Sequence, residues 1–180
     1  MSESQDITQE NNLDRYPSGE LLLTVIQNEY NYEDVRKNAL ETRSGILLTL
    51  AAVVLTFIFS NIKMPKIKTP IADYSSLVFY VSYFLVAVLA VTTILISVFY
   101  LIKVIFITEY KRFEINDITW ETVEKEPDFI ASSLTEKYKQ IINWNHKVNH
   151  NKAVLYRKGT YSLIAAIFFS VVLYGLSLNL

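Results

Sequence analysis

The residues of this chain that are best suited to chemistry form no evident active site. His146 and His150 are four residues apart, so on a helix they would share one face, where such a pair can bind a metal ion. No glutamate sits between them in the His-Glu-x-x-His manner, and no third ligand is evident. The favoured interpretation is two exposed polar side chains and no metal site.

Other catalytic signatures are missing as well. The chain has no cysteine, so thiol nucleophiles, thiolate metal sites and disulfides are excluded together. Its 4 glycines form neither a phosphate-binding loop nor a dinucleotide fingerprint. The carboxylates are scattered, and no serine has a plausible histidine partner. The sequence therefore predicts no catalytic residue, no cofactor and no enzymatic activity.

The elements that would position any site are three uncharged runs at 44–62, 74–102 and 159–180. The second has 29 residues, and a helix needs about 20 apolar residues to cross the ~30 Å hydrocarbon core. A hairpin of two spans would need about 40 residues, and the run has no Gly, Pro, Asn or Asp on which to turn. Three runs predict an all-α integral membrane protein with three transmembrane helices.

Charge predicts the orientation of these spans. With the N-terminus in the cytoplasm, 13 Lys and Arg residues lie inside and only Lys63, Lys66 and Lys68 lie outside. The net charge of −1 gives no indication of a nucleic-acid partner. The sequence predicts a multi-pass membrane protein with a cytoplasmic N-terminus and the lipid bilayer as its partner.

The chain divides into segments by this pattern. The predicted segments are a disordered tail at 1–16, a cytoplasmic amphipathic helix at 17–43, a first span at 44–62, an outer loop at 63–73, a second span at 74–103, a cytoplasmic helical region at 104–158 and a third span at 159–180. The cytoplasmic parts are long helical extensions of the spans. None of them is large enough for an enzyme domain of roughly 100 to 150 residues.

The amphipathic helix before the first span begins near Ser18, which can cap it, and could run straight into the span. Its apolar residues recur at helical spacing: Leu21, Leu22, Val25, Ile26, Tyr32, Val35 and Ala39. We expect this face to pack against other cytoplasmic helices of the protein. The alternative is a helix lying on the bilayer surface, which the neighbouring acids disfavour.

The long loop after the second span is predicted to be helical in three parts. Residues 109–113 continue the second helix, 115–126 form a short amphipathic piece, and Pro127 ends it. A capping box at Ser133 and Glu136 predicts a new helix that starts between Asp128 and Ser133. Because only Gly159 interrupts the pattern beyond it, this helix of about 46 residues should run on through the third span.

A coiled-coil-like seam follows on this last helix. Its members are spaced by four and three residues: Leu134, Tyr138, Ile141, Asn145, Val148, Lys152 and Leu155. The seam could pack within one subunit, against the N-terminal helix, or join the subunits of a homo-oligomer. The sequence leaves both open.

Small and hydroxyl-bearing residues form stripes on all three spans. On the second span the stripe includes Tyr83, Ala87, Ala90, Thr93 and Ser97. Helix packing is the favoured interpretation, and a water-facing pore lining is the alternative. Just before the third span, basic residues could contact an anionic ligand or, as we favour, lipid headgroups: Lys147, Lys152, Arg157 and Lys158.

Two stretches carry a resemblance to a known class of proteins. They are Glu41-Thr-Arg-Ser-Gly45-Ile-Leu-Leu-Thr at the first span, and Asn145, Asn149, Asn151, Lys152 and Ala153 leading through Tyr156-Arg-Lys158 to the last. The chain resembles the small multi-span membrane effectors of bacterial antiphage systems, such as those of Pycsar and other nucleotide-signalling operons.

The resemblance implies an oligomeric, pore-forming effector that disrupts the bacterial inner membrane during infection, an abortive infection response. A nucleotide signal or a soluble partner stays open as the trigger. The alternative function is a membrane anchor or sensor that recruits a soluble partner through its cytoplasmic helices.

Overall fold

Three long helices make up the part of the protein that the computed structural model describes, residues 19–63, 74–107, 109–113 and 127–178. Helix α1 spans Gly19–Asn61, α2 spans Tyr74–Phe106 and α3 spans Pro127–Ser177. Each is long and apolar enough to cross a membrane. The predicted all-α fold with three candidate membrane spans is confirmed, as in a multi-pass membrane protein.

Some predicted segments lie outside the described residues. They are the tail 1–16, most of the outer loop, at 64–73, and the amphipathic piece 115–126.

Helices α1 and α3 run without interruption from charged sequence into apolar sequence. The N-terminal helix and the first candidate span form one helix of 43 residues, and α3 continues past Gly159 to Ser177. The start of α3 differs from the prediction, because Ser133 and Glu136 lie inside the helix and Pro127 begins it. Proline has no amide to leave unsatisfied in a first turn, and Asp128 there complements the helix dipole.

The prediction that 109–113 continues the second helix is wrong. α2 ends at Phe106, and the residues from Glu109 to Phe113 are not helical. Side chains of α3 bind the backbone of this segment. The Asn145 amide nitrogen donates to the Lys111 carbonyl, and the Asn145 amide oxygen accepts from the Lys111 N–H, both at 2.9 Å. The Trp144 indole N–H donates to the Glu109 carbonyl at 2.6 Å. These bonds replace the helical ones.

The chain folds as two compact units. Unit 1 contains the described residues of Met1–Arg36 and Glu109–Asn149, and unit 2 contains those of Lys37–Thr108 and His150–Leu180. In unit 1 the beginnings of α1 and α3 touch, since a Cβ on Gly19 would lie 3.4 Å from the Cβ of Ala131. The Tyr138 ring stacks on Phe113 at 5.1 Å and meets Tyr30 edge-on at 5.5 Å.

The apolar face of the first half of α1 does not pack as we expected. Five of its seven members are exposed: Leu21, Leu22, Val25, Tyr32 and Val35. Ile26 and Ala39 are half-buried. The side that faces the rest of unit 1 is instead the one that carries Gly19, Tyr30 and Glu33, because these residues make the contacts with α3. These contacts turn the apolar stripe outward.

Unit 2 is a bundle of the apolar parts of all three helices around one core. α1 contributes Ala51, Val54 and Ile58, α2 contributes Tyr83, Ala87, Ala90 and Ile94, and α3 contributes Leu163, Ala166 and Leu173. Polar groups close one end. The Tyr83 hydroxyl donates to the Asn61 carbonyl at 3.0 Å and accepts from the Lys63 N–H at 2.8 Å, while Lys63 Nζ donates to the Ser177 carbonyl at 2.9 Å. These bonds satisfy the last carbonyl of α1 and the last carbonyl of α3.

Helices α2 and α3 are in close contact at Gly159. A Cβ there would lie 2.8 Å from Leu101 Cγ and 2.9 Å from Leu101 Cδ2. The Ser97 hydroxyl donates to the Gly159 carbonyl at 2.8 Å. Glycine therefore sits where any side chain would force the helices apart, as small residues do in helical membrane proteins.

This contact predicts a clear difference among glycine substitutions. Gly159→Ala should destabilise the protein by about 1–3 kcal/mol, because Leu101 has to move out of a packed position. Gly45→Ala is the matched control, since a Cβ there meets nothing within 4 Å and alanine favours a helix. Thermal unfolding in detergent measures both. Equal melting temperatures for the two variants would contradict the close approach.

Candidate functional site

The most polar buried group of unit 1 is a carboxylate. Glu33 is only 2% exposed, and its oxygens accept hydrogen bonds from Asn149 Nδ2 at 2.6 Å and from Arg36 at 3.3 Å. His146 Nδ1 lies 2.9 Å from the same carboxylate, and Asn149 Nδ2 also bonds the Glu33 carbonyl at 2.9 Å. We call Glu33, Arg36, His146 and Asn149 the Glu33 cluster. It joins α1 to α3 within unit 1.

The charge state of Glu33 follows from these partners. Burial by itself raises the pKa of the carboxyl, but the hydrogen bonds from Asn149 and His146 and the charge of Arg36 outweigh it and hold the pKa below its ordinary value. The cluster therefore favours an ionised Glu33. The Asn149 Oδ1 atom is buried and has no hydrogen-bond partner among the described residues.

The non-helical segment 109–113 covers another part of unit 1. Burial, with the nearby acids Asp34 and Glu33 and the Tyr30 hydroxyl, raises the pKa of the Tyr110 hydroxyl far above its ordinary value. Tyr110 is therefore neutral. The Lys111 ammonium lies 4.4 Å from the centre of the Trp144 ring, a cation–π contact that adds to the bonds on the backbone of the segment.

Unit 2 has its own buried charge. Lys152 is fully buried, and its Nζ donates to Glu41 Oε1 at 2.5 Å, while the Glu41 side chain is 29% exposed. One turn further along α1, the Ser44 hydroxyl is buried without a hydrogen-bond partner among the described residues. Lys152 and Glu41 lie just before the uncharged runs of α3 and α1. We call them the Lys152–Glu41 pair.

Residues of the predicted seam on α3 contact other residues of the same chain. Asn145, Val148 and Lys152 are buried, and the other four members are half-buried: Leu134, Tyr138, Ile141 and Leu155. Tyr138 contacts Tyr30 of α1. Asn145 binds the segment 109–113, and Lys152 binds Glu41. These contacts are those expected of a seam within one subunit.

The four basic residues predicted to contact an anion differ in their surroundings. Lys147, Arg157 and Lys158 are exposed, whereas Lys152 could reach an anion only by leaving Glu41.

The stripe predicted on the second span faces the inside of unit 2. On α2 the side chains of Tyr83, Ala87, Ala90 and Ser97 are buried and Thr93 is half-buried. The first three belong to the hydrophobic core of unit 2. They occupy positions of helix packing.

The two histidines differ in their surroundings. His146 belongs to the Glu33 cluster, and His150 is exposed. Within the described ranges, no group of three or more His, Cys, Asp or Glu side chains could hold a metal ion.

Sequence reasoning did not identify the roles of two acids. Glu33 joins α1 to α3 in unit 1, and Glu41 joins them in unit 2. By sequence, Glu33 and Glu41 are only acids that disfavour a bilayer surface. One signal was available for Glu41. Glu41 lies three residues before the uncharged run that starts at 44, and Lys152 lies seven residues before the run that starts at 159. If the two helices were neighbours and parallel, these opposite charges would lie at a similar depth relative to the membrane. Nothing local marks Glu33.

No protein family, curated protein or solved structure matched the chain.

The Lys152–Glu41 pair predicts an asymmetric response to substitution. Glu41→Gln should cost about 3–5 kcal/mol, because it leaves the Lys152 ammonium buried without an anion. Lys152→Met should cost less, because the Glu41 carboxylate keeps contact with solvent. The double variant should recover much of the stability lost in Glu41→Gln. Additive losses in thermal unfolding would contradict a direct pair.

The Glu33 cluster predicts a dependence of unit 1 stability on acidity. Since folding lowers the pKa of Glu33, its stabilising contribution is complete above the unfolded value of about 4.3 and disappears as pH falls through the folded pKa. Glu33→Gln should therefore lower stability at pH 7 and flatten the loss of stability on acidification. Glu29→Gln changes an exposed acid of the same helix and is the control. Melting curves from pH 3 to pH 7 measure the effect, and unchanged acid sensitivity in Glu33→Gln would contradict it.

Proposed function

We propose that the protein is an oligomeric membrane effector that permeabilises the bacterial inner membrane in response to infection. Its three candidate spans and the resemblance to antiphage effectors support this function. The N-terminus and the charged halves of α1 and α3 would lie in the cytoplasm, where positive charge is concentrated.

One observation carries the proposal. On the apolar half of α1, the side away from the core of unit 2 carries small and hydroxyl-bearing residues: Gly45, Thr49, Ala52, Thr56 and Ser60. All except the half-buried Gly45 are exposed. The three hydroxyls donate to carbonyls one turn earlier in α1, at 3.2, 3.0 and 2.9 Å. We call this set the α1 hydroxyl face.

The α1 hydroxyl face would be poorly matched to lipid alone. Residues of this kind let neighbouring membrane helices approach closely, or they face water in a conducting state. Because the stripe on α2 is used for packing in unit 2, the α1 hydroxyl face is the predicted stripe that is left exposed to other copies. A ring of copies would bring several such faces together and could line an aqueous path.

The membrane potential of infected cells tests the function. In cells that express the protein, we expect phage infection to collapse the potential before lysis, as followed with a potential-sensitive dye. Growth arrest with an intact potential in every infected cell would contradict permeabilisation and favour a membrane anchor that recruits a soluble partner.

A variant tests the role of the α1 hydroxyl face. Replacing both Thr49 and Thr56 by Val keeps their shape but removes two hydroxyls, so the collapse should be slowed about threefold or more if these hydroxyls face water. Ser82→Ala is the matched control, because the Ser82 hydroxyl is exposed on α2 and bonds the Val78 carbonyl in the same way, at 2.8 Å. Equal rates of collapse in both variants would place the aqueous path elsewhere.

A further inference from the structure

The first half of α1 presents a largely apolar stripe that no described residue of unit 1 covers. Its hydrophobic side chains are those of Leu21, Val25, Tyr32 and Val35, which are 68%, 57%, 62% and 65% exposed. They point away from the side of α1 that carries Tyr30 and Glu33. This half of the helix is charged, with Glu20, Glu29 and Arg36, so its surroundings are aqueous in the proposed function. We call the set the α1 stripe, and its members are Leu21, Val25, Asn28, Tyr32 and Val35.

The spacing of the α1 stripe indicates the kind of surface that covers it. From Leu21 to Val35 its members are separated by steps of four, three, four and three residues, the spacing by which one helix packs along another. Leu22, which is also exposed, lies beside the stripe. A single polar residue, Asn28, stands at its middle. The occupant that fits is therefore a second helix running along α1.

A bilayer surface is a poorer fit for the same stripe. α1 continues as one unbroken helix from Gly19 to Asn61, so its first half cannot lie flat on a membrane that its second half crosses. The exposed acids Glu20 and Glu29 beside the stripe would also be repelled by anionic headgroups.

We propose that the α1 stripe pairs with the α1 stripe of a second copy of this chain, parallel and in register. The inference deepens the proposed function and rests on it, because two copies inserted in one membrane with the same topology have parallel α1 helices. Each member of the stripe then meets its own counterpart across a two-fold axis. In this register the Asn28 amide faces a second amide, which can both donate and accept a hydrogen bond.

The residues that flank the stripe agree with this register. In a parallel pair, the residues just before Val25 and Tyr32 face the residues five positions later in the partner helix. Thr24 then faces Glu29, and Asn31 faces Arg36, so a hydroxyl meets a carboxylate and an amide meets a guanidinium. Neither pairing opposes like charges, while within each copy the Thr24 hydroxyl donates to the Glu20 carbonyl and Arg36 donates to Glu33.

This interface differs from the predicted seam on α3. In unit 1 the seam residues Tyr138 and Asn145 are occupied by Tyr30 and by the segment 109–113. The α1 stripe has no such contacts, and it lies on the opposite side of α1 from Tyr30.

Disulfide crosslinking tests the pairing, because the chain has no cysteine of its own. Two adjacent, exposed amide side chains provide a matched pair of variants in the full-length protein, Asn28→Cys in the stripe and Gln27→Cys beside it. In native membranes treated with a mild oxidant, Asn28→Cys should form a disulfide-linked homodimer in about fivefold or greater yield than Gln27→Cys, since a disulfide needs Cα atoms within about 7 Å.

The other outcomes are informative. Equal yields at both positions, a disulfide to a different protein, or an Asn28→Cys thiol protected by lipid without crosslinking would each overturn the pairing. A failure of the proposed function is seen separately. A specific Asn28→Cys dimer in cells whose membrane potential survives infection would support the pairing and contradict permeabilisation. Collapse of the potential without an Asn28→Cys dimer would contradict the pairing and support permeabilisation.

Discussion

A charge that leaves water needs a partner, and this constraint sets the rotation of α1 in both units. In unit 1, Glu33 is buried against Asn149 and His146 of α3. In unit 2, Lys152 of α3 is buried against Glu41. Turning α1 about its axis would take Glu33 away from Asn149 and His146 and leave the Lys152 ammonium of α3 buried without an anion, which costs several kcal/mol. The apolar contacts adjust to the positions that the charges require.

The same constraint decides what the protein presents to its surroundings. Because polar residues of α1 face α3, the apolar residues of its charged half face outward, where soluble proteins seldom expose a continuous apolar stripe. The hydroxyls of its apolar half face outward too. The charged half of α1 thus exposes a surface that is unusual in water, whereas in the apolar half the α1 hydroxyl face lies beside exposed apolar side chains such as Ile46 and Val53.

The proposed function does not need an enclosed site. The work of the protein would be done by the outer surfaces of its helices, which must change neighbours between a closed and an open state. A buried ion pair suits such a protein, because it fixes one arrangement of helices and is expensive to break halfway. The Lys152–Glu41 pair lies close to the uncharged runs of α3 and α1.

The sequence determined the three candidate spans and the continuity of α3, because uncharged runs and helical periodicity depend only on local composition. It also placed Tyr138, Asn145 and Lys152 on one seam. It could not determine that 109–113 leaves the helix, since that depends on Asn145 and Trp144, about 35 residues away. Only the tertiary structure decided which side of α1 turns inward, because an acid such as Glu33 looks solvent-facing until its partners on another helix are known.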